Sequence, residues 1–234
     1  MENHLAGANE AVCTIDRMLP VVQEQSTCRR GCWGCCGQLA LTSITDGIRI
    51  ATYLLAHPEI RRDFLDVHLP AHLDVLRRTE GDVQRYWDSE VRCPFLTDTL
   101  VPSCSVYEAR PMPCRLHFVA SDPDNCYLRN EALVVQKADL GKMEGIYNAA
   151  CVQGEAAFLR QDVSECYKTI SSPAIAATWG LTLLEQGVDA WHQLYSSLPV
   201  SDPLGTPFWG RMMTREVVRR EARKGRREAR KGRP

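Results

Sequence analysis

The sequence predicts a mostly α-helical protein, with irregular cysteine-rich loops packed among the helices and at most short strands. Three observations lead there. Apolar residues recur at helical spacing on both sides of the chain's middle. Eight of the eleven cysteines gather in that middle, among glycines and prolines that break regular structure. Hydrophobic residues at 44% and charged residues at 24% are a globular composition, not a disordered one, so 234 residues suffice for one domain with appendages.

The elements follow in order. Residues 5–24 place Ala8, Val12, Ile15, Leu19 and Val22 on one helical stripe, with Cys13 expected there as a small buried side chain. Residues 28–37 read C-RRG-C-WG-CC-G, a ligand-type loop. Ser43-x-x-Asp46 has the form of a capping box, so a helix should follow with Ile48, Ala51, Leu54 and Leu55 inward, interrupted at Pro58. A further helical stretch is expected over 59–90, broken near Pro70. His68 and His72 are spaced i, i+4, but with Pro70 between them they read as partly exposed helix surface rather than as a metal pair.

Residues 93–115 carry Pro94, Pro102, Pro111 and Pro113 and predict a turn-rich loop, with one short strand at Cys104–Tyr107. Phe95, Leu96 and Tyr107 are expected to cover it from water. Beyond it, 131–168 reads as helical, with Leu140, Met143, Ile146, Tyr147 and Ala150 on one face and Cys151 and Cys166 as packing residues. Residues 173–196 form another amphipathic helix with Trp179, Leu183, Trp191 and Leu194 inward. The expected organisation is an N-terminal helix over 1–27, a cysteine-cluster region over 28–126, a helical part of the same domain over 127–210, and a basic tail over 211–234.

Charge is split along the chain. The overall value is −1, yet residues 215–234 hold ten Lys/Arg against three Glu, leaving the body at −8. The tail contains RREARKG twice, at 219–225 and 226–232, without an apolar seam. It reads as a solvated helix or arm able to make a weak, salt-sensitive contact with nucleic acid. No run approaches the ~18 apolar residues of a membrane span, and the N-terminus lacks the pattern of a secretory signal. A cytoplasmic, non-membrane setting is the expectation.

In a reducing compartment, clustered cysteines argue for metal ligation over disulfides, and an odd count agrees. Cys28, Cys32, Cys35 and Cys36 form one group; Cys93, Cys104, Cys114 and Cys126 form another. Thiolates suit zinc or iron–sulfur centres. Adjacent Cys35 and Cys36, in extended backbone, would point opposite ways and serve two centres or bridge one. Spacing leaves one site or two open. Arg110 and Arg115 flank Cys114 and could offset thiolate charge, or act as plain structural arginines. His117 is a further candidate ligand or neighbour of the ligands. Cys28-x3-Cys32-x2-Cys35 also has radical-SAM spacing, but neither β-α units nor a cofactor-holding glycine motif accompanies it.

CxxxCxxCC at Cys28–Cys36, CPFL at Cys93 and C-SVYEARP-xx-CR at Cys104–Arg115 together resemble the YkgJ-type cysteine-cluster family, described as zinc- or iron-chelating. The resemblance spans roughly 28–126. It implies Cys28, Cys32, Cys35, Cys36, Cys93, Cys104 and Cys114 as metal ligands, with Cys126 matching a further downstream cysteine. The expected function is a cysteine-ligated iron–sulfur or iron site with a redox role and a redox or protein partner. The alternative is a structural zinc module for protein or nucleic-acid interaction. A third reading is an oxidoreductase acting at an iron centre.

Overall fold

The computed structural model describes residues 2–24, 26–28, 31–37, 40, 42–79, 83–89, 91–120, 122, 126, 138–160 and 172–197. They form α1 (Glu2–Gln23), α2 (Ile44–Ala56), α3 (Pro58–Asp63), α4 (Leu69–Arg78), α5 (Val83–Asp88), α6 (Met112–Leu116), α7 (Ala138–Leu159), α8 (Pro173–Gln186) and α9 (Val188–Ser197). Short 3-10 turns at Gly34–Gly37 and Tyr107–Ala109 lie in the cysteine loops. The protein is mostly α. Among the described residues, extended pairing is confined to an isolated antiparallel bridge between Leu96 and Cys104. The expected strand at Cys104–Tyr107 does not form: after the bridge the chain turns into the 3-10 segment, because Pro102 and Pro111 leave no room for a ladder.

The N-terminal stripe is as expected, with Ala8, Val12, Ile15, Leu19 and Val22 all buried against Met112, Phe118, Tyr147 and Cys151. Cys13 is a correction: it lies off that stripe and is exposed. Helix α2 starts as its capping box predicts, the Ser43 hydroxyl accepting from Asp46 N–H at 3.1 Å. Ile48, Ala51 and Leu54 are buried, whereas Leu55 is 38% exposed, one step past the inward face. Pro58 restarts the chain as α3, in the first turn where its missing N–H costs nothing.

The expected break near Pro70 is absorbed differently. A π turn at Phe64–His68 precedes α4, and Pro70 sits in the first turn of α4, so the chain stays helical. This rotation turns His72 inward. It is 3% exposed, not surface as expected, and contacts Ser172 Oγ at 3.2 Å and Tyr86 Oη at 3.3 Å. Burial holds its pKa down at about 4.

In α7, Tyr147 and Cys151 are buried, but Ile146 is 63% exposed and so leaves the expected face. The expected single helix over 173–196 is two, α8 and α9, parted at Gly187 with φ of 89°. Trp179, Leu183 and Trp191 are buried as expected. Cys166, the side chains of Leu140, Met143 and Leu194, and the basic tail 215–234 lie outside the described residues.

Helices α2 and α8 cross in backbone contact at Gly47, Ala176 and Gly180. A Cβ built at Gly180 would stand 2.4 Å from the Gly47 carbonyl oxygen, and one at Gly47 would stand 2.1 Å from that of Ala176. Backbone cannot swing aside as a side chain can, so these helices must part if either glycine gains a methyl group. Gly180→Ala should therefore lower stability by about 1–3 kcal/mol or more, read as a fall in Tm or in the urea midpoint. An unchanged midpoint would contradict the packing.

Candidate metal centre

Backbone hydrogen bonds bring the two cysteine groups together. Thr27 N–H donates to the Val119 carbonyl at 2.9 Å, and Val119 N–H donates to Cys28 Sγ at 3.4 Å. Gly31 turns the loop at φ 87°, a conformation other residues resist. Cys36 N–H closes the next turn onto the Trp33 carbonyl at 2.8 Å, and Cys93 N–H donates to the Cys36 carbonyl at 2.8 Å. The second group is fixed by Leu96 N–H to Cys93 O at 3.0 Å, Ser105 N–H to Phe95 O at 2.7 Å, and Cys114 N–H to Pro111 O at 3.0 Å.

The result is one cavity of about 1260 Å³, with Cys28, Cys32, Cys35, Cys36, Cys93, Cys104 and Cys114 all on its walls. Cys126 is buried close enough to feel the charge of Cys32, Cys35 and Cys28, but it does not line the cavity. As placed, no three His, Cys, Asp or Glu side chains among the described residues are gathered tightly enough to hold a metal ion. The donor type nevertheless fits a thiophilic metal, since seven of the loop cysteines share one space.

Cys35 and Cys36 do not diverge as extended backbone would make them. They sit in the Gly34–Gly37 3-10 turn, and their thiols hydrogen-bond each other. That bond, with the Arg110 guanidinium nearby, lowers Cys35 to about 7 despite burial. The same bond, with burial, drives Cys36 upward. Burial raises Cys93 to about 12 and also lifts Cys28, Cys104 and Cys114.

The two arginines part in role. Arg115 is structural: it pairs with Asp16 at 2.6 Å and donates to the Arg110 and Glu108 carbonyls. Arg110 lines the cavity, stacks on Tyr107 at 3.9 Å, helps to lower the pKa of Cys35 and opposes the rise at Cys104. Of the expected cover, Phe95 and Leu96 are buried, with Phe95 stacked on Phe64 at 4.7 Å, while Tyr107 is 53% exposed. His117 lines the cavity with its Nε2 buried and unpartnered.

One wall of the cavity was not expected. Asp46, 1% exposed, accepts from Tyr147 Oη–H at 2.6 Å and Met112 N–H at 3.2 Å, tying α2 to α7 and α6. Glu155 Oε1 accepts from Thr45 N–H at 2.9 Å and Thr45 Oγ–H at 2.8 Å. Both carboxyls, with Cys151, line the same cavity. The sequence marked Asp46 only as a cap and Cys151 only as packing, and it carried no signal for Glu155.

A family model described as "CxxCxxCC: Putative zinc- or iron-chelating domain" matches residues 27–144, and the chain belongs to that family. No curated protein and no solved structure matches the chain. Among the described residues no helix is long and apolar enough to cross a membrane. The chain is thus a cysteine-ligated, zinc- or iron-chelating protein.

The split between Cys35 and its neighbours has a measurable consequence. At about pH 8 in metal-free, reduced protein, Cys35 is mostly thiolate while Cys93 and Cys114 remain thiols. Iodoacetamide should label Cys35 first among the cavity cysteines, as followed by peptide mass mapping. Equal labelling of Cys93 would contradict the assignment.

Proposed function

We propose that this member of the CxxCxxCC family holds iron in a single polynuclear iron–sulfur centre and serves a redox role. The observation that carries the reading is the convergence of seven thiols of the two loop groups on one cavity, with Cys35 and Cys36 side by side in one turn. A lone tetrahedral zinc takes four ligands, which would leave the remaining thiols of the cavity idle. Paired adjacent thiols favour one larger centre over two separated ones.

The chain's own residues would act as follows. Cys28, Cys32, Cys35, Cys36, Cys93, Cys104 and Cys114 are the proposed ligands, with Cys126 beside them. Val119 N–H softens the charge on Cys28, as N–H···S contacts do for metal-bound thiolates. Arg110 offsets negative charge near Cys35 and Cys104. Phe95 and Leu96 keep water from one side. When bound, such a centre supplies one-electron transfer. Ligation requires thiolates, and most of these cysteines are held as thiols by burial, so metal uptake releases protons and weakens as pH falls.

Protein purified without oxygen should be brown, with visible absorbance and with iron and acid-labile sulfide in comparable amounts. A colourless protein carrying zinc would support the structural-module alternative and overturn the iron reading. Single Ser substitutions separate ligands from bystanders, because serine is the poorer donor to a soft metal. Cys32→Ser should lose most of its metal per folded chain. Cys13→Ser, at an exposed position on α1, should retain it. Equal metal loss in both would contradict the assigned ligand set.

A further inference from the structure

The cavity is larger than its thiols need, and one of its walls has a chemistry of its own. At about 1260 Å³ it exceeds the volume of ordinary small-molecule pockets. Glu155, Asp46 and Cys151 stand on the wall formed by α2 and α7, with Met112, Val152 and Phe118 supplying apolar surface.

Glu155 is the unusual member. It is 2% exposed, and its Oε1 is pinned by both Thr45 donors. No described residue donates a hydrogen bond to its Oε2, and Glu155 is among the residues that line the cavity. Asp46 has Arg49 at 3.9 Å; no described cation lies at ion-pair distance from Glu155. A buried carboxylate without a counter-ion is unfavourable, and two donors from Thr45 are spent on holding it there.

Charge around the cavity points the same way. Its described lining carries the carboxylates of Asp46, Glu108, Glu144 and Glu155 against a single arginine, Arg110. The lining histidines His72 and His117 are held toward the neutral form by burial. Thiolates add further negative charge on metal binding.

We propose that the carboxylate-bearing wall of the cavity binds a small organic cation, an ammonium or guanidinium group on an apolar stem, which donates an N–H hydrogen bond to Glu155 Oε2. The stem lies against Met112, Val152 and Phe118, and the cation supplies a counter-charge that no described residue gives Glu155. Burial and the neighbouring Asp46 hold the Glu155 carboxyl up at about 7; a bound cation would lower it. The site rests on the metal-cavity reading only for its location, and it does not depend on which metal is held.

The test is calorimetric titration of the purified, metal-containing protein with n-butylammonium, n-butylguanidinium, 1-butanol and butyrate. One or both cations should bind, and the neutral and anionic analogues should not. Glu155→Gln, which keeps the shape and the acceptor toward Thr45, should weaken cation binding roughly tenfold or more, with metal per chain and circular dichroism unchanged. Binding of butanol as tight as that of the cations, no binding of either cation, or full affinity in Glu155→Gln would each overturn the proposal. Loss of metal in a folded Glu155→Gln would also overturn it, by making Glu155 a metal ligand. The charge-matched probes test the idea on unmodified protein even if that variant fails to fold. Metal content measured on the same samples reports separately on the iron reading.

Discussion

Keeping many thiols away from water is the constraint on which the rest of the structure depends. A thiol in solution ionises near pH 8.5 and is freely oxidised or alkylated; here burial raises Cys28, Cys93, Cys104 and Cys114 and leaves Cys35 as the exception. That burial cannot come from the loops, which are short and rich in glycine and proline. It comes from helices that close around them: Cys28 packs against the α1–α7 core, and Cys93 and Cys104 pack against the core built on Ile50, Leu54 and Phe64.

Helix α2 is the element through which these requirements meet. Its Gly47 lets α8 approach to backbone contact. Its Asp46 receives hydrogen bonds from α6, which carries Cys114, and from α7. Its Ile50, Ala51 and Leu54 support Phe95 in the CPFL turn. A single helix thereby supports the second cysteine loop and carries or holds the carboxylates of the cavity wall. The link Cys93 N–H to Cys36 O then fixes the loops to each other directly.

Much of this was legible in the sequence because it is periodic or local. The stripe of α1, the cap at Ser43 and the inward tryptophans Trp179 and Trp191 follow from helical spacing and short-range hydrogen bonding. The three ordered cysteine motifs marked the family and the thiols that line the cavity. What failed was of two kinds. Single-position errors at Cys13, Leu55 and Ile146 arise at the borders of a helical face, where one step of about 100° moves a side chain from core to water. Larger misses arise from tertiary contact. The Asp46–Tyr147 and Thr45–Glu155 bonds span 101 and 110 residues, and no local pattern announces them. His72 turned inward because a π turn shifted its phase. The Cys35–Cys36 pair was misjudged because alternation holds for extended chain, and this segment is a 3-10 turn.

The central claim is that one thiolate-lined cavity holds a polynuclear centre. Extended X-ray absorption at the edge of the bound metal, on protein isolated without oxygen, tests it most directly. The account predicts an iron edge, a first shell of sulfur, and an iron–iron scattering path beyond it. A first shell dominated by nitrogen or oxygen, or a sulfur-ligated metal with no metal–metal path, would contradict it.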